Sequence, residues 1–164
     1  MQNFDWTKFT CKINIRSDLK TIYDAFTKSE EIEKWFLEYA DFTDEKSRPV
    51  PPDHHAQAGY TYHWKWFIYP DTETGKIREA NGTDFISFTF EKTCIVDVKL
   101  YPQNEQVIVE LTQRDIPQDE RSKQFIRLGC HAGWSFYLTN LKSVYEGGVD
   151  LRNREFPTAG MINS

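Results

Sequence analysis

The stretch Gly133-Trp134-Ser135-Phe136-Tyr137-Leu138-Thr139-Asn140-Leu141 decides the fold. Trp134, Leu138, Leu141 and Tyr145 recur at helical spacing and make one apolar stripe, which needs an apolar partner. Gly129, Ala132 and Gly133 leave the neighbouring helix surface bare, and that bare patch reads as a cavity wall. The helix containing this stretch is predicted from about Glu120, after Pro117 and Asp119, to Glu146. Gly147-Gly148 supplies its left-handed cap. At about 1.5 Å per residue such a helix is roughly 40 Å long, enough to cross a whole sheet.

The partner is predicted upstream. Phe9, Cys11, Ile13 and Ile15 alternate with polar residues, the period of a strand with one face buried. Two short helices follow, one opened by Ser17 and carrying Leu19, Ile22, Tyr23 and Phe26, the other opened by Ser29 and carrying Ile32, Trp35 and Phe36. Residues 44–58, with Pro49, Pro51 and Pro52, read as a surface loop. From Gly59 the alternation resumes, with Tyr60, Tyr62, Trp64 and Trp66 on one face. Asp71 to Gly75 reads as a turn, Ile77 to Ala80 as a weak strand, and Asn81-Gly82 as a hairpin. Ile86, Phe88 and Phe90, then Cys94, Val96, Val98 and Leu100, then Val107, Val109 and Leu111 give three further strands with polar outer faces. A curved antiparallel sheet wrapped around a long C-terminal helix buries both apolar surfaces, so the expected class is α+β with a helix-grip architecture. Residues 1–146 form the expected single domain, and 147–164 a polar, loosely held tail.

Composition narrows the function. With 20 basic and 25 acidic residues the net charge is −5, and the basic residues form no stripe, which argues against nucleic acid and anionic membranes as partners. No apolar run suggests a membrane insertion or a leader. Cys11, Cys94 and Cys130 cannot all pair and fall at apolar positions, consistent with a reduced, cytoplasmic protein. The 12 Phe, 8 Tyr and 5 Trp exceed what a minimal core needs. His54-His55, His63 and His131 have no zinc-ligand spacing, and no nucleophile elbow or phosphate loop occurs, so neither a metal nor a cofactor is expected. Asp84 and Glu79 are the carboxylates best placed for acid–base work should their strands turn them inward, although a solvated rim position is the commoner outcome near strand ends.

Together these motifs resemble the START-like (helix-grip, SRPBCC, Bet v 1-like) superfamily, and within it the homologues of the activator of the heat-shock protein 90 ATPase. The similarity lies in Ile15 to Phe36, in Gly59-Tyr60, in Gly75-Lys76-Ile77-Arg78-Glu79 and in the Gly133 to Leu141 helix. The activator proper resembles this chain only through its C-terminal domain; its chaperone-stimulating N-terminal domain finds no match in these 164 residues. The resemblance implies an apolar cavity between sheet and C-terminal helix. The residues expected to line it are Trp35, Phe36, Tyr62, Trp64, Trp66, Ile86, Phe88, Val96, Val98, Val109, Leu128, Ala132 and Phe136. The expected function is non-enzymatic binding of an apolar or amphipathic small molecule. The alternatives are a co-chaperone-like or homodimeric interaction module and, third, a small cyclase or hydrolase.

Overall fold

The computed structural model describes residues 3–163. Seven strands form one antiparallel sheet in the order β1-β7-β6-β5-β4-β3-β2. They are β1 (Phe9–Ile15), β2 (Tyr39–Thr43), β3 (Thr61–Lys65), β4 (Thr72–Ala80), β5 (Phe85–Phe90), β6 (Cys94–Gln103) and β7 (Gln106–Arg114). The helices α1 (Leu19–Thr27) and α2 (Ser29–Trp35) connect β1 and β2, which stand at opposite edges. The C-terminal helix runs from α3 (Glu120–Ser122) through a π-helical segment, Lys123–Leu128, into α4 (Gly129–Tyr145). The sheet curves and α4 closes it, as expected of a helix-grip fold.

Local chemistry sets the element ends. Asp119 caps the C-terminal helix by accepting from Ser122 N at 3.0 Å, and at the far end Gly147 adopts φ +81°. The α1 cap is Asp18, one residue beyond the Ser17 expected: its Oδ1 accepts from Thr21 N at 2.8 Å. Ser29 is the first helical residue of α2, with no side-chain cap before it. Gly82, at φ +84°, makes the β4–β5 turn.

One strand is added and two readings are corrected. Tyr39–Thr43 is an edge strand, and with only Ala40 and Phe42 buried its alternation is too short to stand out. Residues Thr72–Gly75 belong to β4: Gly75 pairs with Tyr62, whose ring lies where a Gly75 side chain would stand. The absent side chain is therefore a packing device for Tyr62. Finally, the C-terminal segment is docked. The Arg152 side chain is only 2% exposed and donates to Leu37 O (2.9 Å), Glu33 O (2.9 Å) and Lys34 O (3.0 Å), carbonyls at and just beyond the end of α2. A guanidinium there meets the negative end of the helix dipole. Asn140 in α4 joins the clasp, donating to Trp35 O at 2.7 Å and accepting from Leu151 N at 2.7 Å.

Trp134, Leu138 and Leu141 are buried as their spacing requires, and Trp134 Nε1 donates to the buried Gln113 Oε1 at 3.0 Å. Trp134→Ala is expected to destabilise by ~3–5 kcal/mol; chemical denaturation measures it, and an unchanged midpoint contradicts this packing. Burial pushes the Asp150 carboxyl up, but hydrogen bonds from Arg152 and Arg154 outweigh that and hold it well below its usual value of 3.8. Its stabilising contribution is therefore complete above about pH 4 and disappears as pH falls through the lower folded value. Asp150→Asn is expected to cost about 2 kcal/mol near pH 7, because Arg152 loses its counter-charge. Thermal melts across pH should show the wild-type advantage vanishing in strong acid.

Candidate functional site

The interior between sheet and helix is filled by interlocking rings. Phe36 stacks on Trp35 (5.1 Å between centroids) and meets Trp64 (5.5 Å), Trp66 (5.5 Å), Trp134 (5.0 Å) and Tyr137 (4.9 Å). Trp64 stacks on Tyr62 at 3.9 Å and meets Phe88 at 5.2 Å. What remains among Trp35, Phe36, Trp64, Phe88 and Trp134 is a void of about 10 Å³, at most one water in size. Large rings from both layers therefore fill the space between the middle of the sheet and α4.

Beside this ring cluster, free volume opens on one flank of α4. A cavity of about 300 Å³, open to solvent, is lined by Phe36, Trp66, Tyr69, Phe90, Glu91, Phe125, Gly129, Cys130, Gly133, Trp134 and Tyr137. Gly133 is what opens it: a Cβ built there would meet no atom within 4 Å, and at Gly129 one would make only ordinary contact with Gln124 O at 3.7 Å. The mouth is bordered by three backbone irregularities. The β3–β4 loop carries Ile68 at φ +61°, a conformation costly for a β-branched side chain. The β5–β6 turn carries Glu91 and Lys92 at φ +48° and +65°. The π segment carries Phe125. In a regular helix Phe125 would stand roughly 180° from Trp134. The wider π turn advances less per residue and brings Phe125 round to the Gly133 flank.

Of the residues expected to line a cavity, Phe36 and Trp66 line this one, and Trp35, Trp64 and Phe88 border the small void with Phe36. Tyr62, Ile86, Val96, Val98 and Val109 are core residues with almost no exposure. Leu128 (52% exposed) and Ala132 face solvent, and Phe136 is half-buried against Tyr137. At 100° per residue Ala132 and Phe136 point about 160° away from Trp134, so they lie on the far side of α4. The same arithmetic places Cys130, Gly133 and Tyr137 beside Trp134, a signal present in the sequence but assigned to the wrong stripe. Tyr69, Glu91 and Phe125 carry no such signal, because they sit in irregular backbone.

Burial dominates the chemistry inside. It pushes the Cys130 thiol up to about 12 and raises the Tyr137 hydroxyl above its usual range. At neutral pH both are protonated, so the cavity holds no ready nucleophile. Glu79 is exposed, and Asp84 accepts from the Asn81 side-chain amide in its turn, so both are rim carboxylates. His55 Nδ1 pairs with Thr27 Oγ1 at 2.8 Å and its Nε2 lies 3.3 Å from Asp24 Oδ1, fastening the 44–58 loop to α1. His63 pairs with Asp41 across β2 and β3 at 2.7 Å. Among the described residues no cluster of three His, Cys, Asp or Glu side chains could hold a metal ion, and no helix is long and apolar enough to cross a membrane.

The family model described as "Activator of Hsp90 ATPase homolog 1-like protein" matches residues 16–146, from the end of β1 to the end of α4. The chain belongs to this family. A comparison with functionally curated proteins finds none that matches. Among solved structures, a protein from Staphylococcus saprophyticus is similar at 19% identity and a TM-score of 0.69, covering 88% of this chain and 96% of its own. An Aha1 dimer from Colwellia psychrerythraea is similar at 16% identity and a TM-score of 0.67, covering 86% of this chain and 97% of its own. An HSP90 activator from Plasmodium falciparum is similar at 14% identity and a TM-score of 0.58, covering 82% and 93%. These likenesses establish a shared fold.

Gly133 tests the geometry of the flank directly. Because an added methyl meets open space and alanine favours helix, Gly133→Ala is expected to stabilise the protein by about 0.5–1 kcal/mol. A loss of stability on denaturant unfolding would mean that the flank is closed.

Proposed function

We propose that this protein binds an apolar or amphipathic small molecule, without catalysing its conversion, in the flank cavity bordered by Gly129 and Gly133. The observation that carries this reading is the open volume at Gly133, in a site walled by Phe36, Trp66, Phe90, Trp134 and Tyr137. About 300 Å³ is at the lower end of ligand sites, enough for a compact guest or for the head of a longer one that leaves by the open mouth. The protonated Cys130 thiol supports binding over chemistry. The unpaired cysteines fit a reduced compartment such as the cytoplasm.

A second reading is a protein contact at the same rim, with a second copy or a chaperone. It is favoured by Phe125 (62% exposed), a large apolar side chain left uncovered at the mouth.

A library of lipids and aromatic compounds, screened by thermal shift, separates the two. A true ligand at about a hundredfold excess over its Kd should raise Tm by roughly 5–8 °C. Gly133→Leu, which fills the cavity, should keep its own Tm and abolish the shift. A shift that survives in Gly133→Leu, or no shift across the library, overturns the binding reading. A concentration-dependent increase in mass that Phe125→Ser abolishes, without any thermal shift, supports the second.

A further inference from the structure

The lining of the flank cavity has a specific chemistry. Its rings stand at steep angles to one another: Phe36 meets Trp66 at 83° and Tyr137 at 80°, and Phe90 meets Trp134 at 52°. Rings inclined in this way surround the volume in several orientations, and an aromatic ring carries negative partial charge on its faces. Glu91 is the sole acidic residue of the lining, and Lys, Arg and His are all absent from it. None of the hydrogen bonds and ion pairs formed among the described residues engages the Glu91 carboxylate. A second carboxylate lies beneath it, because Glu91 N donates to Glu73 Oε1 at 3.0 Å. Burial, then the Glu91 charge, raises the Glu73 carboxyl, and the same charge adds to the rise at Cys130, so the negative field reaches the cavity wall. Three cations lie nearby outside the lining. Lys92 is exposed on the turn, Arg121 lies over the outer ring Phe125 at 5.8 Å, and Arg152, behind Tyr137, is already paired with Asp150 at 2.8 Å.

A site of this kind attracts a positively charged, poorly hydrated group. An anion would meet the Glu91 carboxylate and ring faces, and a neutral guest would pack against the rings without the electrostatic gain. We infer that the flank cavity is an aromatic cage for an organic cation, an alkyl- or quaternary ammonium group carried on an apolar body, with Glu91 as its counter-charge. This inference rests on the cavity reading above and names the class of ligand.

Three probes of one shape test it: benzyltrimethylammonium, its neutral carbon analogue neopentylbenzene, and the anion phenylmethanesulfonate. Binding is followed by chemical-shift changes at the Trp indole N–H groups and by calorimetry. The cation is expected to bind at least tenfold more tightly than the neutral analogue, and the sulfonate not at all. Glu91→Gln should weaken the cation about five- to tenfold and leave the neutral analogue and Tm unchanged, and Gly133→Leu should abolish binding of both. If the neutral analogue binds as well as the cation, or Glu91→Gln leaves their ratio unaltered, the cage inference falls while the cavity reading stands. If all three fail to bind, this inference falls, and the library screen then decides the cavity reading. Cation binding that persists in Gly133→Leu puts the charge elsewhere and overturns the inference.

Discussion

Packing around Phe36 is the interaction on which the rest of this structure depends. The ring follows α2 directly and reaches between sheet and C-terminal helix, touching side chains of α2, of β3 and the loop beyond it, and of α4. It is 4% exposed. A helix-grip sheet encloses more space than its own side chains fill, and here that space is taken by indoles and phenyls that interlock around one residue. Because aromatic side chains are rigid and interiors pack to near-crystalline density, the remaining volume cannot spread evenly. It collects where the helix supplies no side chain, at Gly129 and Gly133.

The C-terminal segment holds that arrangement from outside. Arg152 closes the end of α2 while Asn140 ties the same end to α4, so the backbone that leads into Phe36 is fixed on both sides. Phe67 lies beneath the guanidinium groups of Arg152 (5.1 Å) and Arg154 (4.6 Å), which couples the β3–β4 loop to the same clasp. The strained Ile68 stands one residue further on, at the cavity mouth. Strain persists only where the surroundings over-determine it, and the clasp supplies that constraint.

The sequence made the fold legible because two periods dominate it: period two in β1, β3 and β5–β7, and the helical stripe Trp134, Leu138, Leu141. Where either pattern was short or irregular the reading failed. Ala40 and Phe42 were too few to declare β2, and Thr72-Glu73-Thr74-Gly75 reads as a turn until Tyr62 is known to lie over Gly75. The docking of Arg152 left no trace in a polar, aperiodic segment, since its partners are backbone carbonyls more than a hundred residues away. The site was half legible. Gly129 and Gly133 mark the missing bulk, and Phe36 and Trp66 its walls, but Ala132, Leu128 and Phe136 lie on the opposite side of the helix. Phe125 could not be placed from periodicity at all, since a π turn changes the angle per residue and leaves no pattern to extrapolate.

The central claim is about where the empty volume sits. Diffraction from crystals under xenon pressure measures this directly, because xenon settles in apolar cavities whatever the natural ligand. The account predicts a xenon site on the Gly129–Gly133 flank beside Trp66 and Tyr137, and none between Trp134 and Phe88. Xenon density between the long helix and the middle of the sheet, with the flank empty, would contradict it.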